Sequence, residues 1–132
     1  MKIEDVLRKK GTEVVTIAPT ATVAELIDLL ARFNIGAVVV SADGHHIAGI
    51  VSERDIVRHL GTEGVAALAE PISAIMTADV KTCVPGDALE DTAHTMTYAR
   101  IRHLPVVTDD VLVGIVSIGD VVKHRIDQLT DE

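Results

Sequence analysis

The chain has 132 residues, 48% hydrophobic and 24% charged, with a formal net charge of -8, which suits one compact globular unit rather than a disordered chain. Its acidity argues against a nucleic-acid or anionic-membrane surface, since both need an excess of Lys and Arg. With aromatic content of 2% and no Trp, the core must come from Val, Ile, Leu and Ala, and almost nothing is left on which bases could stack.

The first strand signal is "VVTIAP", Val14 to Pro19. A helix follows in which Val23, Leu26, Ile27 and Leu30 recur at helical spacing, and Thr22 with Glu25 has the spacing of a capping box. The run from Ile35 to Val40 reads as a strand leading into the polar turn "SADGHH"; a second strand, Ile47 to Val51, ends in Ser52-x-x-Asp55 and the short amphipathic "DIVRHL". Gly61 to Pro71 has Ala between its terminal Gly and Pro and reads as a short helical bridge.

The same order of signals then returns. "VKTCVP", Val80 to Pro85, aligns with the first strand at an offset of 66 residues, and "ALEDTAHTM" answers the first helix through Leu89, Ala93 and Met96, with Asp87 and Glu90 as a looser capping pair. Leu104 to Val107 leads through "TDD" to "GIVSIGDVV", where the offset has become 65, so one residue is lost in the second turn. Each half is predicted as β-α-β-β-α, an α/β (α+β) arrangement. A unit of that size exposes one face of its sheet, so two of them, related by a pseudo-twofold axis and packed through their sheets, are expected to close a common core. The expected organisation is a first repeat over 1–62, a bridging segment over 63–71 and a second repeat over 72–132, together one compact module.

The repeated Ser-x-x-Asp admits two readings. A Ser at a strand end is a good N-cap and an Asp in the first turn favours the helix dipole, so Ser52 with Asp55 and Ser117 with Asp120 can be capping pairs. Capping leaves the recurring Gly49 and Gly114 unexplained. Without a Cβ they let a flat ligand approach the backbone, helix amides attract anions, and a carboxylate can accept hydrogen bonds from a ribose diol. That combination describes a pocket for a nucleoside bearing phosphate.

"GIVSERD" and "GIVSIGD", each preceded by a "T-x-x-P" strand and a helix, resemble the cystathionine-β-synthase (CBS) domain family, here as a stand-alone tandem pair, or Bateman module, spanning about Ile3 to Lys123. The resemblance implies a regulatory module binding an adenosyl ligand (AMP, ADP, ATP, NAD(H) or S-adenosylmethionine) in clefts between the repeats. It implies Asp55 and Asp120 as ribose-diol acceptors, with Ser52 and Ser117 on ribose or phosphate. The strands Thr16, Ile17, Ala18 and Thr82, Cys83, Val84 would read the adenine edge, and Gly36, Ala37, Val38 and His103, Leu104, Pro105 would wall the purine. It further implies a homodimer through the helices after each motif, and an effector protein regulated in trans. An unoccupied structural or interaction dimer is the alternative.

Phosphate in an acidic protein needs a local cluster of cations. Arg54 and Arg58 lie beside the first motif, Arg100 and Arg102 before "HLPVV", and Lys123 and Arg125 after the second; Arg102 with His103 is the expected phosphate contact, whereas Arg58, Lys123 and Arg125 read equally well as a solvated helix face. "IGAVVV" stands where the second repeat has "RHLPVV", and Glu53 and Arg54 stand where it has Ile118 and Gly119. The two sites are therefore not expected to be equivalent. His45 and His46 read as a solvated turn, His94 as a surface or boundary histidine and Cys83 as a small buried hydrophobe. No nucleophile with a paired base, phosphate loop or metal-ligand spacing is present, so no catalysis and no metal are expected. A lone cysteine excludes an internal disulfide, no apolar run approaches the roughly 20 residues of a bilayer span, and "MKIEDVLRKK" lacks the apolar centre of a signal peptide. The expected location is cytoplasmic.

Overall fold

In the computed structural model, which describes residues 1–130, the elements follow the order α1 (Ile3–Lys10), β1 (Thr16–Ile17), α2 (Val23–Phe33), β2 (Ala37–Val40), β3 (Gly49–Ser52), α3 (Glu53–Glu63), α4 (Leu89–Ala99), β4 (His103–Thr108), β5 (Val111–Ser117) and α5 (Ile118–Thr130), with 3₁₀ turns at Gly64–Ala69 and Ile72–Ala74 between α3 and α4. The fold is α+β, as expected. Helix α1 is not among the predicted elements, although Ile3, Val6 and Leu7 recur at helical spacing and are its buried face.

The chain divides into two compact units, residues 15–80 and residues 1–14 together with 81–132. In the first, β1 pairs in parallel with β2 and β2 antiparallel with β3, in the spatial order β1-β2-β3. Thr22 caps α2 by accepting from the Glu25 amide at 3.2 Å, and Asn34 ends it in the left-handed conformation. Side chains alternate across a strand, so Val38, Val40 and Val51 face the core with Val23, Leu26, Leu30, Ile56 and Ile72. Thr16, Ala37, Val39, Ile50 and Ser52 take the other face. The bridge predicted over Gly61–Pro71 is helical throughout much of its length: α3 runs on through Gly61 to Glu63 and the 3₁₀ turn follows. His59 of α3 meets Glu70 at 2.5 Å across that turn.

In the other unit, β4 and β5 form an antiparallel hairpin whose two turn residues, Asp109 and Asp110, both have positive φ, as a tight hairpin turn requires. Leu104, Val106 and Val116 pack with Ile3, Val6, Leu7, Cys83, Leu89, Met96 and Val121. The strand predicted over Val80–Pro85 is reduced to one bridge, Cys83 with Val106. Cys83 donates to the Pro105 carbonyl at 3.0 Å and accepts from the Val107 amide at 2.8 Å. A continuing parallel ladder would also draw on the amide of residue 105, and proline has none. The capping role expected of Asp87 is likewise not realised: the N-cap of α4 is Ala88, which provides no side-chain cap, and the Asp87 carboxylate instead accepts from the Val84 amide at 2.9 Å. Its C-cap, Arg100, adopts the left-handed conformation with φ 57°.

Candidate functional site

Both Ser-x-x-Asp motifs begin a helix, and both are complete capping boxes. Asp55 Oδ2 accepts from the Ser52 amide at 2.8 Å and from the Ser52 hydroxyl at 3.1 Å. In return the Asp55 amide donates to Ser52 Oγ at 3.4 Å. The second motif repeats this: Asp120 Oδ2 accepts from the Ser117 amide at 2.8 Å, and the Asp120 amide donates to Ser117 Oγ at 3.1 Å. In each carboxylate the Oδ1 atom makes no hydrogen bond among the described residues. Each carboxylate thus caps its helix through Oδ2 and keeps Oδ1 without a hydrogen bond among the described residues.

Asp120 has a further partner. Lys10, the last residue of α1, donates to Asp120 Oδ2 at 2.6 Å and to the Ile115 carbonyl at 2.9 Å. Burial would raise the Asp120 pKa, but the Lys10 ammonium and the Ser117 amide outweigh it and hold the carboxyl below its ordinary value. Nothing in the sequence pattern singled out Lys10. The one available signal is the repeat alignment, which at the offset of 66 sets Lys10 against Met76, a cation where the other copy is apolar.

The motif glycines each have a close neighbour within the chain. A Cβ on Gly49 would meet Met76 Sδ at 2.7 Å and the Thr77 carbonyl at 2.8 Å, and one on Gly114 would meet Leu7 Cδ2 at 2.7 Å. At each glycine a chain segment that precedes a strand makes a close approach. Thr77 exchanges two backbone hydrogen bonds with Ile50, each 2.9 Å, so its carbonyl is fixed over Gly49.

The expected purine wall divides by face. Ala37 lies opposite Ser52 in the β2–β3 register, and His103 opposite Ser117 in β4–β5; with alternation this puts Ala37, His103 and Pro105 on the face that carries the motif serines. Val38 and Leu104, by contrast, are core residues, each 1% exposed. Their side chains are spent on the two cores. Of the expected adenine-reading strands, Thr16 pairs with Val39 and shares the serine-bearing face. Thr16 and Ile17 also line a groove of about 500 Å³ closed by Ala24, Glu25, Asp28, Leu29 and Arg32 of α2. Ala18 is exposed, and its carbonyl accepts the Ala21 amide at 3.1 Å. In the other unit Thr82 is exposed, but the N–H and C=O of Cys83 are spent on β4 and those of Val84 on Asp87.

Among the cations, Arg54 and Arg102 are exposed and make no hydrogen bond or ion pair among the described residues. Arg125 pairs with Glu90 at 2.6 Å. His46 Nδ1 meets Asp43 Oδ2 at 2.7 Å, and the amides of His46 and His45 also bond that carboxylate, holding its pKa well below the ordinary range. The Cys83 thiol is pushed up to about 12 by burial, with the Asp87 charge adding to the effect.

These elements are those of the CBS domain, whose family profile matches residues 3–62 and 72–127. The chain belongs to this family, as a tandem pair. It is similar to the CBS-domain containing protein ATU1752 of Agrobacterium tumefaciens, a crystal structure with TM-score 0.91 and 40% identity that covers 95% of this chain and 99% of that one. It is 33% identical to the mitochondrial CBS domain-containing protein CBSX3 of Arabidopsis thaliana, over 98% of this chain and 67% of that protein. The CBS domain pair of protein MJ0100, crystallised with 5'-methylthioadenosine and S-adenosyl-L-methionine, shares the fold with TM-score 0.85 at 23% identity, over 97% of this chain and 98% of that pair. Among the described residues, no helix is long and apolar enough to cross a membrane.

Proposed function

We propose that this chain is a regulatory module, not an enzyme, that binds an adenosyl ligand at its Ser-x-x-Asp motifs and acts in trans on another protein. The observation that carries the reading is the shared state of Asp55 and Asp120: one carboxylate oxygen is fixed by the chain's own serine and the other makes no hydrogen bond among the described residues. A carboxylate so oriented is a preorganised acceptor for a ribose hydroxyl. The purine then lies along the serine-bearing face of β2 or β4, and AMP, ADP, ATP, NAD(H) and S-adenosylmethionine all carry the required diol. Ligands of this class bound to the MJ0100 pair support the same assignment.

A hydrogen bond to a charged group contributes about 1.5–3 kcal/mol. Calorimetric titration of the dialysed protein with AMP, ATP, NADH and S-adenosylmethionine is expected to give saturable heats, weakened about 10- to 100-fold by Asp55→Ala or Asp120→Ala.

The completed capping boxes favour a second reading, in which Ser and Asp only start their helices and self-association is the function. No heat with any ligand, with both variants merely less stable, decides for it. Under either reading we propose a homodimer. Val122, Ile126 and Leu129 form one apolar stripe of α5 and are 50%, 57% and 64% exposed, and Val57 of α3 is 67% exposed. Light scattering at micromolar concentration is expected to give the mass of two chains; a monomer overturns the dimer.

A further inference from the structure

The two motifs share one backbone geometry and differ in charge. In the first, the Gly36 carbonyl accepts the Glu53 amide at 2.9 Å, and the Glu53 carboxylate folds back over that glycine, where a Cβ would meet its Oε1 at 3.3 Å. In the second, the same bond joins the Arg102 carbonyl to the Ile118 amide at 2.8 Å. Glycine has become arginine, and glutamate has become isoleucine.

Lys10 widens the contrast. The Ile50 carbonyl is satisfied by the backbone amide of Thr77, whereas its counterpart, the Ile115 carbonyl, is satisfied by the Lys10 ammonium. That substitution delivers a cation to Asp120 which Asp55 lacks among the described residues. At the first motif Arg54 makes no ion pair among the described residues, and the adjacent Glu53 cancels its charge only in the local count. Around the second motif Lys10 and Arg102 outnumber Asp120.

We infer that the second motif takes a phosphate-bearing adenosyl ligand with Lys10 as its specificity-determining residue, and that the first takes an adenosyl ligand whose tail is uncharged or cationic. This rests on the adenosyl-binding reading above. Phosphate oxygens only accept hydrogen bonds, so they need donors held close to the ribose acceptor. An ammonium has three donors, and Lys10 uses two, on the Ile115 carbonyl and on Asp120 Oδ2 at 2.6 Å, which leaves one for a phosphate bound next to that carboxylate. The guanidinium of Arg102, without a hydrogen bond or ion pair among the described residues, supplies more. At the first motif the Glu53 carboxylate would repel phosphate and suits a thioether or a sulfonium.

The test is calorimetric titration of the full chain with AMP and with 5'-methylthioadenosine, which share the nucleoside and differ in the charge of the tail. Lys10→Met is expected to weaken AMP at least tenfold and to change 5'-methylthioadenosine less than threefold, with Lys10→Arg restoring AMP. Arg102→Met, which removes no side-chain hydrogen bond or ion pair among the described residues, is expected to show the same split and serves if Lys10→Met does not fold. Asp120→Asn should remove AMP binding and Asp55→Asn the binding of 5'-methylthioadenosine. Equal effects on both ligands, no effect on either, tighter AMP in Lys10→Met, or AMP lost only in Asp55→Asn would each overturn the inference. If neither compound nor any other adenosyl ligand binds the unaltered chain, the adenosyl-binding reading itself falls, and this inference with it.

Discussion

The Thr77 carbonyl lies over Gly49, 2.8 Å from where a Cβ would be, and Thr77 is tied to Ile50 by hydrogen bonds in both directions. The matching contact at Gly114 is made by the Leu7 side chain, at 2.7 Å. A side-chain end can rotate away; a backbone carbonyl held in a bridge cannot. Overpacking typically costs about 1–3 kcal/mol, so Gly49→Ala is expected at or above the top of that range and Gly114→Ala nearer the bottom. Urea denaturation of both variants checks the order, and equal losses would refute it.

Arg100 closes α4 with φ 57°, a conformation that costs a residue with a Cβ about 1 kcal/mol. Glycine and asparagine tolerate it, and Asn34 already occupies the equivalent place after α2. Replacing Arg100 by Gly is expected to raise stability by about 0.5–1 kcal/mol, seen as a higher urea midpoint at unchanged slope.

The depressed pKa of Asp120 makes the Lys10 contact sensitive to acid. A carboxyl bound as its anion in the folded state, with a pKa below the ordinary 3.8, contributes stability that is fully present above that value and is lost as pH falls through the lower, folded value. Relative to the unaltered chain, Lys10→Met should therefore lose less stability on going below about pH 4. Melting temperatures measured from pH 6 down to pH 3 give the comparison, and parallel acid limbs would argue against it.

Cys83 is 5% exposed and its thiol is pushed up to about 12. The thiolate is the reactive form, so the folded protein is expected to resist a thiol reagent at pH 8 and to react stoichiometrically once unfolded in denaturant. Rapid labelling of the folded chain would contradict the buried placement.

The two-copy organisation was legible because its signals are local. Thr22 with Glu25, Ser52 with Asp55 and Ser117 with Asp120 each lie three residues apart, and all three serve as caps in the fold. Asp87 with Glu90 has the same spacing, but the chain turns back at Val84 and takes the Asp87 carboxylate for that turn. The weakened strand at Cys83 depends on a proline 22 positions further along the chain, which no window centred on "VKTCVP" contains. Val38 and Leu104 sat within the right strands, yet only the register decides which face a strand residue takes. Lys10 lay furthest beyond reach, because its partners Ile115 and Asp120 are more than a hundred residues away.

That separation shapes how the chain is made. Residues 15–80 form one unit from a continuous stretch of chain, so all of its elements leave the ribosome together. Helix α1 is synthesised before them, but the partners of Ile3, Val6 and Leu7 are Leu89, Met96, Val106 and Val116. The apolar face of α1 is therefore left uncovered until β4 and β5 have been translated.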